Sequence, residues 1–182
     1  MLHNRKPHDA AVGEVESQET VMGKIELNER KTLKLTNTLK RSMELEKEST
    51  ALTVQVEQMQ SYIRVKGARQ IGPLIQYAHA SVSEAGELSM NMELMLQCNH
   101  YIHQVEQPYA MDSVIRVPDC IYCRYTGPGE MLKFAYDKIN LFAFENDIPL
   151  RGNSYTIFVN QNEEEGTLVA DVFMERADGE TD

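Results

Sequence analysis

The sequence predicts an α+β fold in which one β-α-β-β unit occurs twice. Three observations lead to this prediction: strand-like and helix-like patterns follow the same order in both halves, each helical pattern has one apolar stripe, and a glycine-marked turn follows each helix. Two such units imply an antiparallel sheet with pseudo-two-fold symmetry, two helices on one face and a central cleft. A seam of this kind is a favoured place for a small-molecule pocket.

The first predicted repeat covers about residues 20–98 and opens with strands. A short strand at 21–27 is predicted to turn at Asn28-Glu29 into a second strand at 31–39. In that second strand, leucines alternate with polar residues, which is typical of a half-buried strand.

A helix is predicted at about residues 50–66. Leu52, Val56, Met59 and Ile63 fall on one helical stripe, and Gly67 supplies a helix stop. One continuous helix over 29–66 is the alternative, since Lys, Leu and Glu are frequent there, but the Thr and Asn residues at 36–38 favour a strand. Strands at 70–80 and 88–97 complete the repeat.

The second predicted repeat covers about residues 112–176, after a linker at 99–113. Its strand at 114–125 leads into a helix at about 130–145, whose apolar residues again form one stripe. Strands at 154–160 and 167–175 follow. Residues 1–19 are predicted as a loosely ordered tail, 20–176 as one domain, and 177–182 as an acidic tail.

Composition and charge limit the function. The 182 residues carry a net charge of −10, which repels phosphate backbones and argues against direct binding of nucleic acid. No apolar run reaches the ~18 residues of a membrane span, and no signal peptide is recognisable. Three cysteines without framework spacing fit a reducing compartment, so a cytoplasmic location is expected.

Several short motifs resemble those of the GyrI-like effector-binding family. They are IRVP at 115–118, IYCRYTGP at 121–128, AYDKI at 135–139 and LRGNSY at 150–155 in the second half, with weaker counterparts around Gly72-Pro73, Tyr77 and 91–94 in the first half. The resemblance spans about residues 22–175. This family includes gyrase-inhibitory proteins and the drug-binding domains of MerR-type and AraC-type regulators.

The resemblance implies a pseudosymmetric α+β domain with an aromatic, acidic cleft that takes amphipathic or cationic small molecules. Two departures are visible. No helix-turn-helix precedes the domain, so it resembles a free-standing member. Drug-sensing members often carry a glutamate two residues before an aromatic on the strand after the second helix, and here Thr156 precedes Phe158.

Eight residues are predicted to line the cleft. Tyrosine combines a flat apolar ring with a hydroxyl, and a carboxylate beside aromatic faces suits a cation. Ordinary core packing is the alternative for each tyrosine, and an outward polar strand face is the alternative for the acids. The predicted ligand-binding residues are Tyr77, Glu93, Tyr122, Tyr125, Tyr155, Phe158, Asp171 and Phe173.

No cofactor or metal is predicted. Cys120 and Cys123 form a CxxC, but a strand would place their sulfur atoms on opposite faces. The predicted function is non-covalent small-molecule binding, as a sensor or sequestering protein. The resemblance leaves two alternatives open: a hydrolase of cyclopropane-type genotoxins that pairs Glu93 with Asp171 or Glu175, and a gyrase-inhibitor-like protein that binds a protein partner.

Overall fold

The computed structural model describes residues 23–43, 52–82 and 86–179. They form a closed antiparallel barrel of six strands, in the order β1-β3-β2-β5-β6-β4, together with two helices. The predicted α+β class, with one antiparallel sheet and two helices, is confirmed. In chain order the elements are β1 Lys24–Met43, α1 Leu52–Val65, β2 Gln70–Val82, β3 Leu88–Cys98, β4 Tyr109–Pro128, α2 Lys133–Glu145, β5 Leu150–Asn162 and β6 Thr167–Arg176.

The order of elements, β1-α1-β2-β3 and then β4-α2-β5-β6, repeats within the barrel. Two antiparallel pairs join the halves, β1 with β4 and β2 with β5. Each of these pairs joins equivalent strands of the two halves, as pseudo-two-fold symmetry requires.

Unusual backbone conformations also repeat. Asn37 in β1 and Asp119 in β4 have φ of 47° and 50°, at equivalent places in the first strand of each half. Gly72 and Gly152 have φ of 78° and 79°, each beside a register irregularity at the start of β2 and β5. The duplication is therefore kept in the backbone even where the amino acids differ.

The described residues form three apolar cores. The barrel interior is filled by side chains of all six strands, including Leu33, Ile75 and Met95. A second core lies between α1 and the outer faces of β1 and β3, around Leu39 and Ile63. A third lies between α2 and the outer faces of β4 and β6. Both helices thus pack on the outside of the barrel and leave its interior to the strands.

The first strand differs from its prediction. β1 is continuous from Lys24 to Met43, so the turn predicted at Asn28-Glu29 is wrong, and the alternative of one helix over 29–66 is wrong as well. The polar pair at 28–29 is accommodated by a shift of register against β4 instead of a chain reversal.

The linker predicted at 99–113 is shorter than expected, because β4 already begins at Tyr109. The second helix begins at Lys133, after a single 3-10 turn at Gly129–Met131. The predicted tail at 1–19 and residues 180–182 of the acidic tail lie outside the described residues.

Candidate functional site

Five of the eight predicted residues form one row across the inner face of the barrel. Each lies directly opposite the next on a neighbouring strand. We call this set the aromatic row. From β3 through β2, β5 and β6 to β4, its members are Glu93, Tyr77, Tyr155, Phe173 and Tyr122.

The rings of the aromatic row contact one another. The centroids of Tyr77 and Tyr155 are 4.4 Å apart in a stacked arrangement, and those of Tyr122 and Phe173 are 4.9 Å apart. The ammonium of Lys31 lies 3.6 Å from the centroid of the Tyr122 ring, a cation-π contact. The inner face therefore already holds one cation against an aromatic ring.

Burial changes along the row. Tyr122, Tyr155 and Phe173 are buried, whereas Tyr77 and Glu93 are half-buried. A ligand that stacks on the row without displacing the core would therefore contact the end formed by Tyr77 and Glu93. The buried end acts as the support on which that contact surface rests.

Asp171 lies next to the aromatic row, and its negative charge is balanced by Arg124. Arg124 donates two hydrogen bonds to its carboxylate, at 2.7 and 2.8 Å, and the Tyr122 hydroxyl donates a third at 2.8 Å. Burial favours a higher pKa for Asp171, but these hydrogen bonds outweigh it and lower the pKa below its usual value. Asp171 is therefore a charged member of a structural network.

Tyr122 stays protonated in this network. Burial and the adjacent Asp171 carboxylate raise its pKa to about 12. Burial also raises the pKa of Tyr155. At neutral pH both phenols are hydrogen-bond donors, and neither supplies a phenolate for chemistry.

Glu93 occupies the position in the first repeat that Asp171 occupies in the second. Asp171 lies opposite Arg124 of β4, whereas Glu93 lies opposite Ser42 of β1. In the described part of the chain, no hydrogen bond or ion pair engages the Glu93 carboxylate. The replacement of an arginine by a serine therefore leaves one inner-face carboxylate available beside Tyr77.

We expect Asp171→Asn to lower the free energy of unfolding by about 1–2 kcal/mol at pH 7. This is less than for a fully buried pair, because the Arg124 side chain is 43% exposed while that of Asp171 is 13% exposed. Since the folded pKa of Asp171 is lowered, its contribution is present above the unfolded value of about 4 and is lost as pH falls through the folded pKa.

Urea unfolding of both proteins between pH 7 and pH 2 tests this expectation. The stability difference between wild type and Asp171→Asn should shrink below about pH 4. Asp137→Asn, on the exposed surface of α2, removes the same charge and should change stability by less than about 0.5 kcal/mol. A constant difference across this pH range would contradict the assignment.

Tyr125 and Phe158 lie apart from the other predicted residues. Tyr125 is in the core beneath α2, where its hydroxyl donates to the Pro128 carbonyl at 2.7 Å. Phe158 lies opposite Ala170, and strand alternation places it on the outer face, since its neighbour Ile157 faces the interior. Neither residue shares the inner face with the aromatic row.

Thr156 also faces outward. Its hydroxyl exchanges a hydrogen bond with the Tyr136 hydroxyl of α2. The position at which the resemblance led us to expect a glutamate therefore contacts the helix, and the inner-face carboxylates come from β3 and β6.

Four of the polar residues on the inner face were missed by sequence reasoning and bear on the site. Lys31 and Arg124 were not predicted, although Arg124 is two residues from Tyr122 on the same strand. His79 and Asn153 were also missed, although they are two residues from Tyr77 and Tyr155. The period of two that identified the tyrosines was the signal for three of the four.

The cysteine pair is split between two cores. Cys120 faces the barrel interior and Cys123 packs beneath α2, and burial raises the pKa of each thiol to about 11. Within the described residues, no three His, Cys, Asp or Glu side chains are grouped closely enough to hold a metal ion. Neither helix of the described chain is long and apolar enough to cross a membrane.

Comparison with known proteins finds solved structures of low sequence identity. No protein-family model and no curated protein matches the sequence. The structure of SAV2435 bound to tetraphenylphosphonium is 8% identical and covers 83% of this chain and 95% of that chain, with a TM-score of 0.45. A candidate bacterial transcription regulation protein from Staphylococcus aureus MU50 is 10% identical in sequence. The match covers 81% of this chain and 97% of that chain, with a TM-score of 0.44.

Proposed function

We propose that this protein binds flat, amphipathic cations without covalent chemistry, as a sensor or sequestering protein, within one domain of about residues 20–176. The observation that carries the proposal is the half-buried end of the aromatic row. There the carboxylate of Glu93, which has no ion-pair or hydrogen-bond partner among the described residues, lies directly opposite Tyr77, which stacks on Tyr155. This combination supplies both a flat apolar surface and a countercharge.

The chemistry of this end favours a cationic aromatic ligand. A ring that stacks on Tyr77 gains apolar contact, and a positive charge near Glu93 gains Coulomb energy that partial burial makes stronger than in bulk water. Met95, two residues from Glu93 and on the same face of β3, has a flexible side chain that adjusts to ligands of different shape. The net charge of −10 adds a general attraction for cations.

The ion pairs distinguish Glu93 from Asp171 and Glu175, two other acids of the inner face. Asp171 is neutralised by Arg124, and Glu175 is paired with Arg151 at 3.0 Å and accepts a hydrogen bond from Asn153. Asp171 or Glu175 would have to break its ion pair with an arginine before it could balance the charge of a ligand. The same pairing weighs against the hydrolase alternative, which needs one of them as the second working carboxylate.

We expect acridine orange, a flat cation, to bind the wild-type protein and to bind Glu93→Gln about tenfold more weakly. A tenfold change corresponds to ~1.4 kcal/mol, a modest value for one partly solvated charge contact. Isothermal titration measures the affinity directly. At a hundredfold excess over the dissociation constant, the dye should also stabilise the fold by about 2.7 kcal/mol, visible as a melting shift.

The matched control is Glu145→Gln, which removes the same charge on the exposed surface of α2. It should bind the dye as the wild type does. Equal loss in both variants would show that only the overall charge attracts the dye, and the absence of binding to wild type would overturn the proposed function. Recovery of chemically unchanged ligand separates binding from hydrolysis.

A further inference from the structure

A second polar group lies beside the aromatic row, at the end that the proposed function uses. His79 of β2 lies directly opposite Asn153 of β5, one inward-facing position beyond the stacked pair Tyr77 and Tyr155. The His79 ring itself stacks on Tyr77, with centroids 4.9 Å apart. The surface of Tyr77 and this polar pair are therefore continuous.

The orientation of the Asn153 amide is fixed by its neighbour. Its nitrogen donates to Glu175 Oε2 at 2.9 Å, and the other oxygen of Glu175 is paired with Arg151. A carboxylate accepts hydrogen bonds and cannot donate one when ionised, so the amide nitrogen must face Glu175. The amide oxygen is thereby turned away as an acceptor.

Two buried polar atoms remain unsatisfied at this place. Among the described residues, Asn153 Oδ1 and His79 Nδ1 have no hydrogen-bond partner, although both atoms are shielded from solvent. Buried polar groups in proteins are nearly always hydrogen-bonded, and an unpaired one is costly. Two such atoms on directly opposed residues indicate a place that a hydrogen-bond donor completes.

We propose that His79 and Asn153 bind an N–H-bearing head group of the ligand, such as an aromatic amine or amidine, while its flat body stacks on Tyr77. This inference rests on the proposed function and narrows it to a ligand class. Asn153 Oδ1 accepts from the ligand nitrogen, and His79 Nδ1 accepts a second hydrogen bond when the imidazole carries its proton on Nε2. Because Tyr77 and His79 are half-buried, a shift of their stacked rings opens the two atoms to the ligand.

A pair of dyes with the same ring system tests the inference. Proflavine carries two primary amino groups, and acridine orange carries dimethylamino groups at the same positions, so both are flat cations but only proflavine has exocyclic N–H donors. We expect the wild-type protein to bind proflavine about tenfold more tightly, the preference expected from one hydrogen bond to a buried acceptor. Fluorescence titration measures both affinities.

Two variants test whether His79 and Asn153 cause the preference for proflavine over acridine orange. His79→Phe keeps a ring that stacks on Tyr77 but removes the nitrogen, and Asn153→Leu removes the acceptor. Each should reduce the preference for proflavine, measured as the ratio of the affinities for proflavine and acridine orange. Thermal melting of each variant shows that it is folded, and either folded variant is sufficient for the test.

The possible results separate the inference from the proposed function. If both dyes bind wild type equally, as they would if a water molecule satisfied the two atoms, the inference fails and the proposed function stands. If the preference for proflavine persists in both folded variants, the inference also fails. If neither dye binds wild type, the proposed function and the inference fail together.

Discussion

Phe173→Ala should lower the free energy of unfolding by about 3–5 kcal/mol, the range for removing a large aromatic side chain from a core. Phe173 is 5% exposed, lies in the barrel interior and contacts the Tyr122 ring. Its removal leaves a cavity bordered by strands that are held on both sides by other strands. Such a closed wall has little freedom to collapse into the empty space.

Urea denaturation monitored by circular dichroism measures this effect. Phe144→Ala is the matched control, because Phe144 lies on α2 and is 82% exposed, so its truncation should change stability by less than about 0.5 kcal/mol. A loss below about 1 kcal/mol for Phe173→Ala would mean that the aromatic row does not support the barrel interior. In that case the description of its buried end as a rigid support would be wrong.

Gly127→Ala should cost about 2–3 kcal/mol, because there is no room for a methyl group at this position. A Cβ atom there would lie 2.6 Å from the Cα atom of Gly23 and 2.8 Å from the Tyr125 hydroxyl oxygen. The first contact is with backbone at the start of β1, so relief requires the β1–β4 pair to separate locally. The second would displace the tyrosine that anchors the core beneath α2.

Gly129→Ala is the corresponding control. At that position the nearest heavy atom to an added Cβ, the carbonyl oxygen of Gly166, is 3.9 Å away, an ordinary contact distance. We expect its midpoint of thermal unfolding to stay near that of wild type, whereas Gly127→Ala should melt several degrees lower. Equal midpoints for the two variants would show that β1 and β4 adjust to the added methyl group.

Strand and helix types were predictable because hydrophobic periodicity reports local geometry. The stripe of Met59 and Ile63 on α1 does face a core, and alternation along β3 does separate Glu93 from Leu94. The same rule shows why Tyr125 and Phe158 are apart from the row. Each is three residues from an inward-facing tyrosine, and an odd spacing on a strand reverses the face.

Closure of the barrel was not predictable from periodicity. Alternation tells which residues share a face of one strand, but it does not tell which strands meet. The face of β1 also reverses at Asn37, whose positive φ sends Leu35 into the barrel interior and Leu39 toward α1. The ion pair between Asp171 and Arg124 was equally unpredictable, since it depends on the register between β4 and β6.

The difference between Ser42 and Arg124 bears on stoichiometry. Under the proposed function, a duplicated barrel with two equivalent unpaired acids would have two equivalent binding sites for a cation. Occupancy of one site would then influence the other. Among the described residues, Asp171 of one half is paired with Arg124, whereas the equivalent acid of the other half, Glu93, has no ion-pair partner. Under the proposed function, saturation is therefore expected at one ligand per chain, with a simple hyperbolic isotherm.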